Sequence, residues 1–178
     1  METTNETSEY KLHLTGFHAT EQRSADAILN KQEFRDSHKD NEWLGYGVYF
    51  FKYHANAEWW ADVIVSRRSK AVILKANLEY TKEQMLDLDD PDQFGLLNTT
   101  YKIAMERANE LSIAKAYSPI EMKKQWCFAC NLYRQLYPQI GIISFTFKKK
   151  PMSIPGMQVS ECQLCVSNHD IIGSVEYS

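Results

Sequence analysis

Glycine and proline are scarce in this 178-residue chain, with seven of the first and five of the second. No Gly/Ser/Pro-rich linker divides it, and no internal repeat or low-complexity tract is present, which excludes a multi-domain string or an array. Cysteine is sparse too. Four thiols are too few for the disulfide framework of a small secreted domain, so reduced thiols in a cytoplasm are the expectation. No apolar run approaches the ~18 residues that a membrane span needs, so no membrane partner is expected. The first nine residues have neither a basic lead nor an apolar segment, so a secretory signal is not expected there. Charge of one sign is lacking as well: 20 basic side chains stand against 23 acidic ones, for a net charge of −3. The overall field therefore does not attract nucleic acid, and such a partner would have to meet a local basic patch.

What is present is an ordinary globular composition. Apolar residues make up 44% and charged residues 24%, which excludes disorder or coiled coil for the whole chain. A chain of this length buries about 70% of the surface that its unfolded form exposes. The expected organisation is a frayed segment at residues 1–9 followed by one domain over residues 10–178.

Periodicity sketches the elements. Tyr10, Leu12 and Leu14 alternate with Lys11, His13 and Thr15, which predicts a half-buried strand over 10–17. Thr20 is placed to cap a helix carrying Ala25, Ile28 and Leu29. Residues 35–42 read as a loop. Residues 45–51 (GYGVYFF) predict an aromatic strand broken by glycine, a sign of close backbone approach. A helix is predicted over 55–65 and a strand over 71–80. Leu97, Tyr101, Ala104, Met105, Ala108 and Leu111 recur at helical spacing. Ser118-Pro119-Ile120-Glu121 forms a capping box with proline at the first helical position, opening a helix that stops at Pro138. Strands over 142–147, 163–167 and 171–177 complete an α+β pattern.

Taken singly, His18, Tyr49 and the Trp59-Trp60 pair are compatible with ordinary packing. Two C-x-x-C pairs, Cys127/Cys130 and Cys162/Cys165, have zinc-like spacing. The first pair sits mid-helix among apolar residues, and the second pair would face opposite sides of a strand, so buried thiols are expected and no metal. Asp87, Asp89, Asp90 and Asp92 suggest a calcium loop, but Pro91 and Asp92 occupy the places where an oxygen ligand and a glycine are required. A solvated loop is expected instead. Lys148, Lys149 and Lys150, with Arg67 and Arg68, form basic points that read as solvated turns.

Considered together, several residues form a pattern. Phe17-His18-Ala19-Thr20 is followed by Trp43-Leu44-Gly45-Tyr46-Gly47-Val48-Tyr49-Phe50-Phe51, and then by an Ala-rich helix with Trp60. This pattern resembles the ADP-ribosyltransferase superfamily, in particular its diphtheria-toxin and poly(ADP-ribose) polymerase branch. His18 matches the histidine of that branch's H-G-T-like segment, with Ala19 where glycine is usual. Tyr49 matches the tyrosine of its G-x-G-x-Y-F strand, and Trp60, eleven residues later, stands where a second tyrosine is common. The likeness spans roughly the first 80 residues and, more loosely, the last 40.

The resemblance implies a split, bent antiparallel sheet core with flanking helices, in which the helical pair between residues 95 and 138 is an insertion. It implies NAD⁺ as substrate. Tyr49 and Trp60 would sandwich the nicotinamide cation, each contact being worth ~0.5–2 kcal/mol. His18 would hydrogen-bond a ribose hydroxyl, the main chain at Ala19 would hold the carboxamide, and Thr20 and Gly47 would line the site. The branch also carries a late glutamate that binds the ribose 2′-hydroxyl. Here Gln163 occupies that position, with Glu161 two residues earlier on the same strand face. Glu161 and Gln163 are thus read as a paired site: the amide binds the hydroxyl, and the carboxylate supplies charge or deprotonates the acceptor.

The implied activity is transfer of a single ADP-ribose to a macromolecule, protein, RNA or DNA. The loop 148–160 would meet that acceptor. By analogy with small stand-alone members, a toxin restrained by an antitoxin, acting in phage defence, is the implied setting. Two alternatives use the same cleft: an NAD-binding module without catalysis, and an NAD⁺ glycohydrolase with water as acceptor. An RNA 2′-phosphotransferase also uses NAD, but its paired arginines and histidines have no match here.

Overall fold

The computed structural model describes residues 10–62, 70–111, 121–148 and 160–178. The expected frayed segment 1–9 lies outside them, as do the capping residues 118–120 and the end of the helix predicted over 55–65. Within them the chain is α+β, with four α-helices and seven strands, β1 (Leu12–Glu21), β2 (Val48–Phe51), β3 (Ala71–Tyr80), β4 (Met85–Asp87), β5 (Ile142–Lys148), β6 (Ser160–Val166) and β7 (Ile172–Tyr177), in one sheet of order β4-β5-β6-β2-β1-β3-β7. The parallel pair is β4 (Met85–Asp87) with β5 (Ile142–Lys148); the other neighbours are antiparallel.

The alternation at the start produces β1, Leu12–Glu21, which outruns its predicted end. It continues because Ala19, Thr20 and Glu21 extend a ladder with Ile73, Val72 and Ala71 of β3 (Ala71–Tyr80). Thr20 is therefore a strand residue and not a cap. The following helix α1, Gln22–Lys31, starts behind Glu21 with no side-chain cap. The β-rich composition of 71–80 supplies a full-length partner, which decides the contest between cap and ladder.

On its other side β1 meets β2 (Val48–Phe51), and there the ladder narrows to the single registered pair Phe17↔Phe51. Strand β2 is held instead by β6 (Ser160–Val166), with Tyr49 opposite Cys165 and Phe51 opposite Gln163. The sheet thus parts between β1 and β2 while remaining closed on both sides of the gap.

Alternation along the strands loads both faces. Phe50, Leu74, Leu78, Ile142, Cys162 and Leu164 form one core, which α1 covers with Ala25 and Ile28. Leu44, Leu97, Cys130, Tyr133, Ile143 and Cys165 form the other. That second face is covered by α3 (Pro91–Glu110) and α4 (Met122–Leu136), which pack on each other. Helix α3 begins earlier than its apolar periodicity suggests, because Asp90 accepts from the Asp92 backbone N–H at 2.9 Å and Pro91 fills the first turn.

The aspartate run is not simply solvated. Asp87 accepts from Ser144 Oγ at 2.8 Å, and Asp89 accepts from Thr146 Oγ1 at 2.6 Å, pinning the α3 entrance to β5. Among the described residues, no helix is long and apolar enough to cross a membrane.

Candidate functional site

A ladder that stops leaves backbone groups in need of partners. Just past Phe17↔Phe51, the side chain of His18 takes over: its Nδ1 lies 2.8 Å from the carbonyl oxygen of Tyr49. A carbonyl only accepts, so Nδ1 carries the hydrogen and Nε2 presents a lone pair. Burial lowers the imidazole pKa, opposed by that same backbone bond, so the neutral form dominates. The ring packs edge-on to Phe34 and Phe50, at centroid distances of 5.3 and 5.8 Å.

Tyr49 points to the opposite face. Its hydroxyl donates to the Gly45 carbonyl at 2.8 Å and accepts from the Leu44 N–H at 3.0 Å. Burial, with the neighbouring Cys165 second, pushes the phenol pKa well up, so it stays a donor. The ring is therefore fixed at both ends, by its strand and by the 44–45 loop.

The two loop glycines explain how that loop fits. Gly45 has φ +86, and a Cβ there would lie 2.6 Å from Asn131 Oδ1. Gly47 has φ +148, and a Cβ there would lie 2.5 Å from the Val166 carbonyl oxygen. The close approach signalled by the glycine-broken strand is thus to α4 and β6. The strand itself starts only at Val48.

Helix α4 clamps this loop, which ties the second helix of the 95–138 pair to the sheet. Asn131 Oδ1 accepts from the Tyr46 N–H at 2.8 Å. Arg134 donates to the carbonyls of Tyr46 at 2.8 Å and Cys165 at 2.7 Å, joining loop, helix and β6. The thiols of Cys127 and Cys130 lie 3.6 and 3.8 Å from the Lys39 and Trp43 carbonyls. Burial pushes the Cys130 thiol up to about 12, so it remains protonated. Cys162 and Cys165 belong to opposite cores, and among the described residues no group of three or more His, Cys, Asp or Glu side chains is arranged to hold a metal.

The gap opens into a cavity of about 280 Å³. Six of the expected site residues line it: His18, Ala19, Gly47, Tyr49, Trp60 and Gln163. Trp60 closes α2 (His54–Trp60), is 37% exposed, and stands 6.2 Å from Phe51, centroid to centroid. The other two expected residues sit elsewhere. Thr20 lines a neighbouring cavity that shares the His18 wall. Glu161 is 3% exposed and lies behind Gln163, whose Nε2 donates to its Oε1. That bond uses one of the two amide N–H groups and leaves the amide oxygen free to accept from a ligand.

Sequence reasoning missed Arg35, Glu42, Trp43 and Lys123 on the cavity wall. The Lys123 Nζ sits over the Trp43 ring at 5.3 Å, a contact between a loop and a helix 80 positions apart. No local periodicity carries that signal. Lys148 is exposed at the end of β5, whereas Lys149, Lys150, Arg67, Arg68 and the rest of the expected acceptor loop lie outside the described residues.

No family model matches this chain, and no solved structure matches it. Among curated proteins, an uncharacterized protein of Methanocaldococcus jannaschii, MJ0359, is 28% identical over 96 residues. The match takes in 52% of this chain and 45% of the relative, so the chain spans less than half the length of the relative it matches.

Proposed function

We propose that this protein is a mono-ADP-ribosyltransferase that takes NAD⁺, releases nicotinamide and joins ADP-ribose to a macromolecular acceptor. The observation that carries the reading is the meeting of His18, Tyr49, Trp60 and Gln163 on one cavity at the parting of β1 and β2. The adjacency of β1, β2 and β6 supports it, because those strands carry the histidine, the tyrosine and the late polar pair. We take the fold to be of the ADP-ribosyltransferase type on the same grounds.

The chemistry follows from the residues. Tyr49 and Trp60 offer π-faces to a pyridinium cation. The lone pair on His18 Nε2 accepts from a ribose hydroxyl. The bond from C1′ to the pyridinium nitrogen breaks, and its electron pair leaves with nicotinamide, which becomes neutral. Positive charge then develops on the ribose carbon. The Gln163 carbonyl accepts from the 2′-hydroxyl and holds the sugar as the acceptor's oxygen or nitrogen attacks C1′ and loses its proton. Glu161 acts through Gln163 as a positioning residue. A cytoplasmic toxin held by an antitoxin in phage defence fits this activity by analogy.

The neutral amide favours a second reading. A site with a neutral Gln163 on the cavity and Glu161 buried suits a binding module, or an enzyme slow enough that water is the acceptor. Incubation with NAD⁺ labelled in the adenylate decides among them. Label on a polymer, assigned by separate protease and nuclease digestion, supports transfer. Free ADP-ribose alone indicates the glycohydrolase. Binding without nicotinamide release leaves the module.

A further inference from the structure

Removal of the acceptor's proton is the step for which the strand-borne residues supply no group. In the proposed reaction His18 Nε2 and the Gln163 carbonyl take ribose hydroxyls. Glu161 is 3% exposed and lies behind Gln163. The Tyr49 phenol is held protonated, chiefly by burial. A base has to come from another part of the wall. Among the described residues that line the cavity of about 280 Å³, Glu42 alone carries a carboxylate.

Glu42 is held at the cavity by a loop pinned at its base. Ser37 and Gly47 exchange two backbone hydrogen bonds, of 2.9 and 3.1 Å, which fold the chain back on itself just ahead of β2. Inside that loop the Glu42 N–H donates to the Lys39 carbonyl at 3.4 Å. Ser37 Oγ then donates to Glu42 Oε1 at 2.8 Å, and Oε2 has no hydrogen-bond partner among the described residues. The side chain is half-buried. Its charge also helps to raise the Tyr49 phenol, behind burial and Cys165, which sets it near that ring.

Two cations share the wall, Arg35 and Lys123, and neither is ion-paired with Glu42. They restrict the kind of acceptor that can approach. A lysine ammonium or an arginine guanidinium would meet two like charges against one carboxylate. A carboxylate acceptor would be repelled by Glu42 and has no proton to give up. A neutral O–H meets neither obstacle, and its attack is helped most by a base within reach.

We infer that Glu42 is the general base of the reaction and that the acceptor group is a neutral hydroxyl. This rests on the reading that the cavity takes the pyridinium end of NAD⁺. The hydroxyl oxygen forms a bond to C1′ as the bond from C1′ to the pyridinium nitrogen breaks and its electron pair leaves with nicotinamide. The hydroxyl proton passes to the Glu42 carboxylate and from there to water. The carboxylate thus comes from the loop ahead of β2 and not from β6. Ser37 is a positioning residue that holds it in place.

The test is incubation of the full chain with NAD⁺ and one of three small acceptors: methanol, azide or agmatine. Azide attacks C1′ with no proton to lose, and agmatine carries a guanidinium. The native chain should give the methyl glycoside of ADP-ribose and the glycosyl azide, and no agmatine adduct. Glu42→Gln keeps the shape and can still accept from Ser37. It should lower the methyl product about 10²-fold relative to the azide product. Ser37→Ala keeps the charge and should shift the same ratio the same way, by about tenfold. The ratio compares two products of one protein, so a loss of folded chain does not move it.

Methyl and azide products that fall together in Glu42→Gln, or a ratio that does not move, overturn the base. An agmatine adduct formed as readily as the methyl glycoside overturns the hydroxyl assignment. Both results leave nicotinamide release, and with it the transferase, standing. A native chain that binds NAD⁺ but releases no nicotinamide with any of the three acceptors removes the transferase, and the base falls with it.

Discussion

The imidazole of His18 hydrogen-bonds the main-chain carbonyl of Tyr49, Nδ1 to oxygen at 2.8 Å, across the point where the β1–β2 ladder has ended. A side chain stands in for a missing backbone donor, so the two key residues of the cavity are coupled through the main chain of one of them. The bond fixes the histidine tautomer and leaves Nε2 as an acceptor. If the site transfers ADP-ribose, His18→Ala loses both the ribose acceptor and the strap across the gap. Nicotinamide release should fall by about 10²–10³, as for loss of one preorganised polar group. Retention of full release would sink the assignment.

The same histidine makes stability depend on pH in a definite direction. Burial lowers its pKa in the folded state below the ordinary value of about 6.5. Between those two values the unfolded chain binds a proton that the folded chain does not, so stability rises with pH across that window. The contribution is fully present above about 6.5 and is lost as pH falls toward the folded-state pKa. Thermal midpoints measured from pH 7.5 down to 5 should show a fall that is smaller in His18→Asn. An equal fall in both proteins would locate the titration elsewhere.

Tyr49→Phe separates the ring from its hydroxyl. The aromatic face stays on the cavity, while the bonds to the Gly45 carbonyl and the Leu44 N–H are lost. A buried N–H without its partner costs about 1–3 kcal/mol. The variant should therefore unfold at lower urea but still release nicotinamide, with weaker NAD⁺ binding because the loop is less well held. Tyr49→Ala should abolish transfer outright. Urea midpoints and label transfer, measured on both variants, check the two halves of this expectation.

Much of the sheet was legible: β1 from its alternation, and β3, β5, β6 and β7 as short runs of strand-forming residue types. Thr20 was misread as a cap because a long-range ladder with Val72 outweighs a local preference that exists only if the strand stops. Strand β4 escaped notice because three residues carry no period. The start of α3 is encoded in Asp90-Pro91-Asp92, a cap followed by a first-turn proline, inside a carboxylate run whose composition also suits a loop. For the site, the strand-borne residues were readable because one segment carries each motif. Arg35, Trp43 and Lys123 were not, since loops and α4 bring them in from distant positions.

Gly47→Ala tests whether the loop really depends on its approach to β6. The added Cβ would meet the Val166 carbonyl oxygen at 2.5 Å, at a backbone φ of +148 that side chains rarely adopt. Neither atom belongs to a flexible chain end, so the loop must move away from β6. Strain and lost contacts together should cost about 2–4 kcal/mol. Gly95, in contrast, sits on α3 with nothing within 4 Å of a built Cβ. Gly95→Ala should be stabilising by about 0.5–1 kcal/mol through helix propensity. Urea denaturation of the two variants should move in opposite directions.

Gln163 and Glu161 can be told apart by what each substitution leaves behind. Gln163→Ala removes the group that faces the cavity and should lower nicotinamide release by about 10²–10³. Glu161→Gln keeps the size of the side chain but removes the charge that makes it an obligate acceptor. The Gln163 amide can then turn over and present its N–H₂ to the cavity, which a ribose hydroxyl can satisfy only as an acceptor. Release should fall by about tenfold, the loss expected when one charge-assisted hydrogen bond is removed. The fall should appear mainly in kcat, because the amide matters most when charge develops at C1′. Glu161→Gln with unchanged kcat and a lowered thermal midpoint would make Glu161 a purely structural residue. Loss as deep as that of Gln163→Ala would place its carboxylate in the chemistry itself.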